Sequence, residues 1–220
     1  MPTPTSILLL GATGLVGRQI LALALADERI GLVTAPTRRP LPSDPKLLNP
    51  IVDFTKLTDA DWWKTDTVLC ALGTTIKQAG SQAAFREVDY GHVLNSAKSA
   101  RMAGCLNFVL NSSLGADPNA ANFYLKVKGQ VEKDLQALGF DCLTLVRPSL
   151  LDGGPRPERR YGEEIGLWFG TRLRGLIPAR YRPVSTRAVA LAMLQAALEP
   201  EPGVHFIESE HLQDYSIGKS

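Results

Sequence analysis

The sequence predicts a doubly wound α/β fold on a parallel sheet, held in one domain spanning residues 1–220. Three observations predict it. Short apolar runs alternate with longer helical patterns along the chain, the rhythm of strand–helix–strand units with right-handed crossovers. The first run, Ile7-Leu8-Leu9-Leu10, carries four large apolar residues in succession, as a strand covered on both faces requires. A glycine turn, Gly11-Ala12-Thr13-Gly14-Leu15-Val16-Gly17, then joins that run to a Leu- and Ala-rich helix ending at Ala26. With 220 residues, 45% of them hydrophobic, the chain can bury one sizeable core.

The glycine turn is the first candidate binding site. Gly11 permits the tight turn, Gly14 lets backbone approach a ligand, and Gly17 lets the helix lie close to the strand. Backbone N–H groups of residues 11–17 and the positive end of the helix then point outward, a setting suited to a pyrophosphate.

The remaining elements follow in order. Ile30 to Ala35 reads as the second strand, closed by Pro36. A dinucleotide unit that takes NAD places an acid about 20 residues past the glycines, where it holds the ribose 2′-hydroxyl. Here that position is followed by Arg38 and Arg39. Guanidinium groups bind a 2′-phosphate with charge-assisted bonds, which favours NADP(H) over NAD(H). Leu41 to Pro50 is proline-rich and reads as loop. Ile51-Val52-Asp53 is expected as a short third strand, with Asp53 and Phe54 facing the adenine. Trp62 and Trp63 are expected to cover the sheet edge. Thr67 to Ala71 forms the fourth strand, and its exit, Leu72-Gly73-Thr74, should border a cofactor lying beyond the strand ends.

Ser81 to Ala103 is the longest helical pattern, interrupted at Gly91. Asn107 to Leu110 is the fifth strand, Asn122 to Leu138 a helix stopped by Gly139, and Asp141 to Val146 the sixth strand. Residues 149–184 loosen into glycine, proline and arginine and read as a small substrate-side cap. Eight arginines between Arg156 and Arg187 face three glutamates there, a basic face without the aromatic interleaving that nucleic acid calls for. Ser185 or Thr186 caps a helix to Leu198. Gly203 to Glu208 is the last strand, with an irregular tail.

Charge and cysteine usage exclude several classes. The net charge of +2 gives no general argument for nucleic acid or membrane. Cys70, Cys105 and Cys142 are widely spaced, with no metal-ligand pattern, and an odd count of thiols suits a reducing, cytoplasmic setting. Arg18 and Gln19 interrupt the apolar N-terminal stretch, and no basic region precedes it, against a signal peptide or a membrane span.

The chemistry falls on Tyr124 and Lys128. Four residues apart on a helix, they share a face, whereas Lys126 points elsewhere. A nearby ammonium favours phenolate and lowers a phenol's ordinary value of about 10, fitting Tyr124 for proton transfer near neutrality. Lys128 could also hold a nicotinamide ribose. Ser113, leaving the fifth strand, can hydrogen-bond a carbonyl oxygen as charge develops on it.

These motifs, in this order, resemble the short-chain dehydrogenase/reductase superfamily in its extended or atypical branch. The likeness rests on Gly11 to Gly17, Ser112-Ser113, Tyr124-x-x-x-Lys128 and Arg147-Pro148-Ser149. More narrowly, Ala71 to Thr75, Ser112 to Ala116 and Tyr124 to Glu132 resemble the Tat-interacting-protein-like subgroup. The resemblance implies a Rossmann fold, NADP(H), and a Ser113–Tyr124–Lys128 triad acting on a small carbonyl or alcohol. It puts Pro148 and Ser149 beside the nicotinamide. It also implies an Asn on the helix before strand five, supporting the lysine through a water, and Asp89 stands there instead.

An NADP(H)-dependent oxidoreductase is therefore the leading expectation. An NADP(H)-sensing regulatory binding protein with little turnover is the alternative. Isomerase or epimerase chemistry on a nucleotide sugar is disfavoured by the short cap and the arginines. Monomer and homodimer are both left open.

Overall fold

The computed structural model describes residues 4–56, 60–152 and 178–216. Seven strands form one sheet: β1 (Thr5–Leu10), β2 (Ile30–Thr34), β3 (Leu47–Leu48), β4 (Thr67–Cys70), β5 (Asn107–Asn111), β6 (Cys142–Arg147) and β9 (Gly203–Glu208). Their order is β3-β2-β1-β4-β5-β6-β9. Every pairing is parallel. Order reverses between β1 and β4, so a crevice opens beyond their carboxyl ends, where ligands of such sheets bind.

The apolar runs are buried on both faces because alternate residues point to opposite sides. Ile7, Leu9, Leu69 and Val109 pack with α1 (Leu15–Ala26) and a late helix, Thr186–Leu198. Leu8, Leu10, Val68, Cys70, Phe108 and Leu110 pack on the other side against two middle helices. Ile7 to Leu10 are all fully buried, as the unbroken run requires.

Three element assignments differ from expectation. The third strand is Leu47–Leu48, within the stretch expected as loop, and Ile51 makes only an isolated bridge to Thr37. Pairing with β2 decides this: Val33 and Ala35 donate to the carbonyls of Lys46 and Leu48. Trp63 is buried in the second core cluster, covering a face of the sheet, not its edge. The described part of the tail is also regular, with a short helix at Ser209–Leu212 followed by a 3₁₀ turn at Asp214–Ser216.

The long pattern over 81–103 is helical but not uniform. Short helices α2 (Ile76–Ala79) and α3 (Gln82–Arg86) lead into a π-helical turn, Glu87–His92, and then α4 (Val93–Met102). A π turn holds an extra residue, and it leads into three consecutive buried residues, His92, Val93 and Leu94. Helix α5 (Phe123–Gln136) follows β5, and Asn122 caps it by accepting from Leu125 N–H at 3.1 Å. The late helix is α6 (Thr186–Leu198), capped by Ser185, and Ser209–Leu212 is α7.

Most of the cap segment, 153–177, lies outside the described residues, with Arg156, Arg159, Arg160, Arg172 and Arg174. Its two ends are brought together, since β7 (Leu151–Asp152) pairs in parallel with β8 (Val184–Ser185). Among the described residues no helix is long and apolar enough to cross a membrane.

Candidate functional site

The glycine turn sits at the β1 end of the crevice. Gly11 has φ +87°, and a Cβ there would lie 2.6 Å from the Ala71 carbonyl oxygen. A Cβ on Gly17 would lie 2.0 Å from the Gly11 carbonyl oxygen. Both glycines are therefore demanded by close approach, one to the neighbouring strand end and the other to the turn itself. Gly14 begins α1 without a side-chain cap, so the first amides of that helix are left for another acceptor. Thr13 and Gly14 are exposed, Ala12 and Val16 are buried, and Leu15 is half-buried. An uncapped helix start behind an exposed glycine turn fits a pyrophosphate.

Arg38 and Arg39 are exposed just beyond β2. The loop carrying them is fixed from below, where Thr37 Oγ1 donates to the Arg39 carbonyl at 2.6 Å and accepts from Asn49 Nδ2 at 2.8 Å. Asp53 closes a turn by accepting from Thr55 N–H and its hydroxyl, bonds that hold its carboxyl below the ordinary value. Phe54 is half-buried with its ring 6.1 Å from that of His92.

The turn after β4 meets α5 and the π turn at one point. Lys128 is buried on α5, and its Nζ lies 2.8 Å from Asp89 Oδ1. The second oxygen, Asp89 Oδ2, accepts from Thr74 N–H at 2.8 Å. Gly73 is exposed directly above the pair, and a Cβ there would lie 3.4 Å from Asp89 Oδ1 and 3.9 Å from Lys128 Nζ. Burial alone would lower the Lys128 amine, but the charges of Asp89 and Tyr124 outweigh it and hold it above the usual lysine range. Leu72 packs against the second core cluster. Tyr124, one helical turn before Lys128, is half-buried with its ring 5.6 Å from that of Phe85.

The two serines leaving β5 divide. Ser113 is half-buried, and its hydroxyl makes only a long contact of 3.4 Å to the Leu114 carbonyl. Ser112 is buried and donates to Glu132. Glu132 in turn holds the Arg147 guanidinium, which also reaches Glu208 at 3.0 Å and stacks on Phe206. This network went unassigned at the level of sequence. Its signal was there, because Glu132 lies four residues past Lys128 and eight past Tyr124, on one stripe of α5.

Pro148 is buried and its carbonyl accepts from Leu114 N–H at 2.9 Å. Ser149 is engaged on both sides, donating its hydroxyl to the Arg182 carbonyl and its N–H to Ser209 Oγ. The β4 exit thus lies against Gly11 on one side and is tied through Asp89 to Lys128 on the other, while Leu114 after β5 is joined to Pro148 after β6.

The model of an NAD(P)H-binding family matches residues 11–200. The chain belongs to that family. Its fold is the Rossmann fold of NAD(P)-binding proteins. Among its relatives is Protein HTATIP2 of Rattus norvegicus, 36% identical over 209 residues, covering 90% of this chain and 83% of the rat protein. Protein FMP52, mitochondrial, of Candida albicans is 37% identical over 188 residues, covering 78% of this chain and 80% of its own. The Tat-interacting-protein-like resemblance is therefore borne out. MoeE5 in complex with UDP-glucuronic acid and NAD superposes with a TM-score of 0.71, covering 93% of this chain and 76% of that one. At 19% identity it shows the shared fold.

The expectation of a cytoplasmic protein is corrected by these relatives, because the Candida protein and other fungal members are named as mitochondrial. The cysteine argument fails for a physical reason. Cys70 and Cys105 are buried, so they are kept as thiols by burial and say nothing of the redox state outside.

Proposed function

We propose that this family member is an NADP(H)-dependent oxidoreductase that interconverts a small carbonyl and its alcohol. The observation that carries the reading is the position of Lys128, buried beneath exposed Gly73 and one helical turn from Tyr124, at the point where the sheet order reverses. Residues 11–17 would hold the pyrophosphate, Arg38 and Arg39 a 2′-phosphate, Asp53 and Phe54 the adenine side, and Leu72 to Thr74 with Pro148 and Ser149 the nicotinamide side. When bound, reduced nicotinamide supplies the hydride. Tyr124 gives its hydroxyl proton to the carbonyl oxygen and recovers one from solvent, so a carbonyl plus hydride plus proton becomes an alcohol. Ser113 donates a hydrogen bond to that oxygen. Lys128 presents a fixed positive charge to the phenol.

A second reading, an NADP(H)-sensing regulatory protein, is favoured by one observation. Asp89 cancels the Lys128 charge, so the ammonium acts on Tyr124 as half of a neutral pair. The fungal relatives make mitochondria the compartment to test first.

One experiment separates the readings. NADPH consumption is followed across aldehydes, ketones and quinones for the wild type, Tyr124→Phe, and Arg38→Ala/Arg39→Ala. Turnover that Tyr124→Phe abolishes while NADPH still binds supports the enzyme. Tight NADPH binding without turnover on any carbonyl supports the sensor. The arginine variant should lose its preference for NADPH over NADH by about tenfold or more, and equal preference before and after removes the arginines from the site.

A further inference from the structure

Three elements converge on one carboxylate. Asp89 comes from the π turn, Lys128 from α5, and the Thr74 N–H from the turn after β4. The side chains of Asp89 and Lys128 are 1% and 4% exposed, and at 2.8 Å no water fits between carboxylate and ammonium. Oδ2 accepts a hydrogen bond from Thr74 N–H, and Oδ1 faces the ammonium in an ion contact.

An ammonium this deeply buried loses its proton unless an opposite charge faces it. Besides Asp89, the titratable groups facing Nζ are Tyr124, from the same helix, and Cys70, from β4. Burial pushes the Cys70 thiol up to about 12, so it is neutral. The compensating negative charge at this point is the Asp89 carboxylate. The Thr74 contact adds a second constraint, because the same group that faces the lysine also anchors the exposed turn above it.

We propose that Asp89 is a positioning residue: it keeps Lys128 charged and fixed beneath Gly73, and it locks that lysine to the Leu72-Gly73-Thr74 turn. The link works by direct contact, in place of the amide and bridging water that the sequence resemblance implies. An asparagine here would still accept from Thr74 N–H but would bring no charge to Lys128. As a statement about turnover this rests on the reading proposed above. As a statement about Lys128 it rests on the ion pair and its burial.

The test uses the full chain with carbon-13-labelled lysine. The Lys128 ε-methylene signal is titrated in the wild type and in Asp89→Asn, and thermal unfolding is recorded for both and for Asp89→Asn/Lys128→Met. In Asp89→Asn, Lys128 should lose its proton about one pH unit or more below the wild-type value, a tenfold or larger drop in proton affinity. An unchanged titration overturns the proposal. Where Asp89→Asn fails to fold, the double variant decides, since replacing both members of a buried pair removes the uncompensated charge. A folded double variant supports the proposal, and one that unfolds as the single does overturns it. Neither readout contains a dinucleotide, so a wild type that binds no NADPH defeats the oxidoreductase reading and leaves this result standing.

Discussion

Glu132 of α5 and Arg147 at the end of β6 are joined twice, Nε to Oε1 at 3.1 Å and Nη2 to Oε2 beside it. The fork of the guanidinium matches the carboxylate, which fixes direction as well as distance. Because Ser112 also donates to Glu132, one buried carboxylate ties α5 to β5 and β6 together. Helix α5 carries Tyr124 and Lys128, so this clamp fixes the helix on which the proposed proton transfer depends.

Glu132→Ala should therefore destabilise the chain by about 3 kcal/mol, because it strands the Ser112 hydroxyl and leaves Arg147 with Glu208 alone. Urea denaturation measures it. Glu132→Leu combined with Arg147→Met should cost less than the sum of the separate changes, and strict additivity would show that the two side chains are not coupled.

The adjacent serines should behave oppositely. Ser112→Ala removes a donor to a buried carboxylate and should lower stability by about 1–2 kcal/mol while turnover persists. Ser113→Ala should leave the denaturation midpoint in place and cut kcat by about a hundredfold, as the loss of one hydrogen bond to a developing oxyanion does. The reverse pattern would assign the substrate-facing role to Ser112.

The thiols predict a pH dependence with a definite sign. Burial pushes Cys70 up to about 12 and Cys105 to about 11, against 9.0 for a free thiol. The unfolded chain gives up these protons first, so their contribution to stability is intact below about pH 9. It falls as pH rises from there through the folded values, by at most about 1.4 kcal/mol per pH unit for each thiol. Urea midpoints should drop above pH 9, and less steeply in Cys70→Ala. In the native state near pH 8, iodoacetamide should label half-buried Cys142 ahead of the other two, and all three once urea is added. Prompt native labelling of Cys70 would contradict its burial.

Much of the framework was legible in the residues. Ile7 to Leu10, Thr67 to Cys70 and Asn107 to Leu110 announce buried parallel strands because a strand covered on both faces cannot alternate. The glycine turn reads equally well, since Gly11 and Gly17 each stand where a Cβ would collide with backbone. The third strand was misread because Leu47–Leu48 is too short to carry a period, and its pairing with β2 is settled by distant hydrogen bonds.

Sequence by itself determined the layered fold, the glycine turn and the shared face of Tyr124 and Lys128, because each follows from spacing along the chain. Tertiary structure alone decided that Asp89 touches Lys128, that Ser112 is spent on Glu132 while Ser113 is left half-buried, and that Arg147 bridges two acids. Those contacts join residues 15 to 61 positions apart, and local spacing carries no information about which distant charges the packing of a sheet will press together.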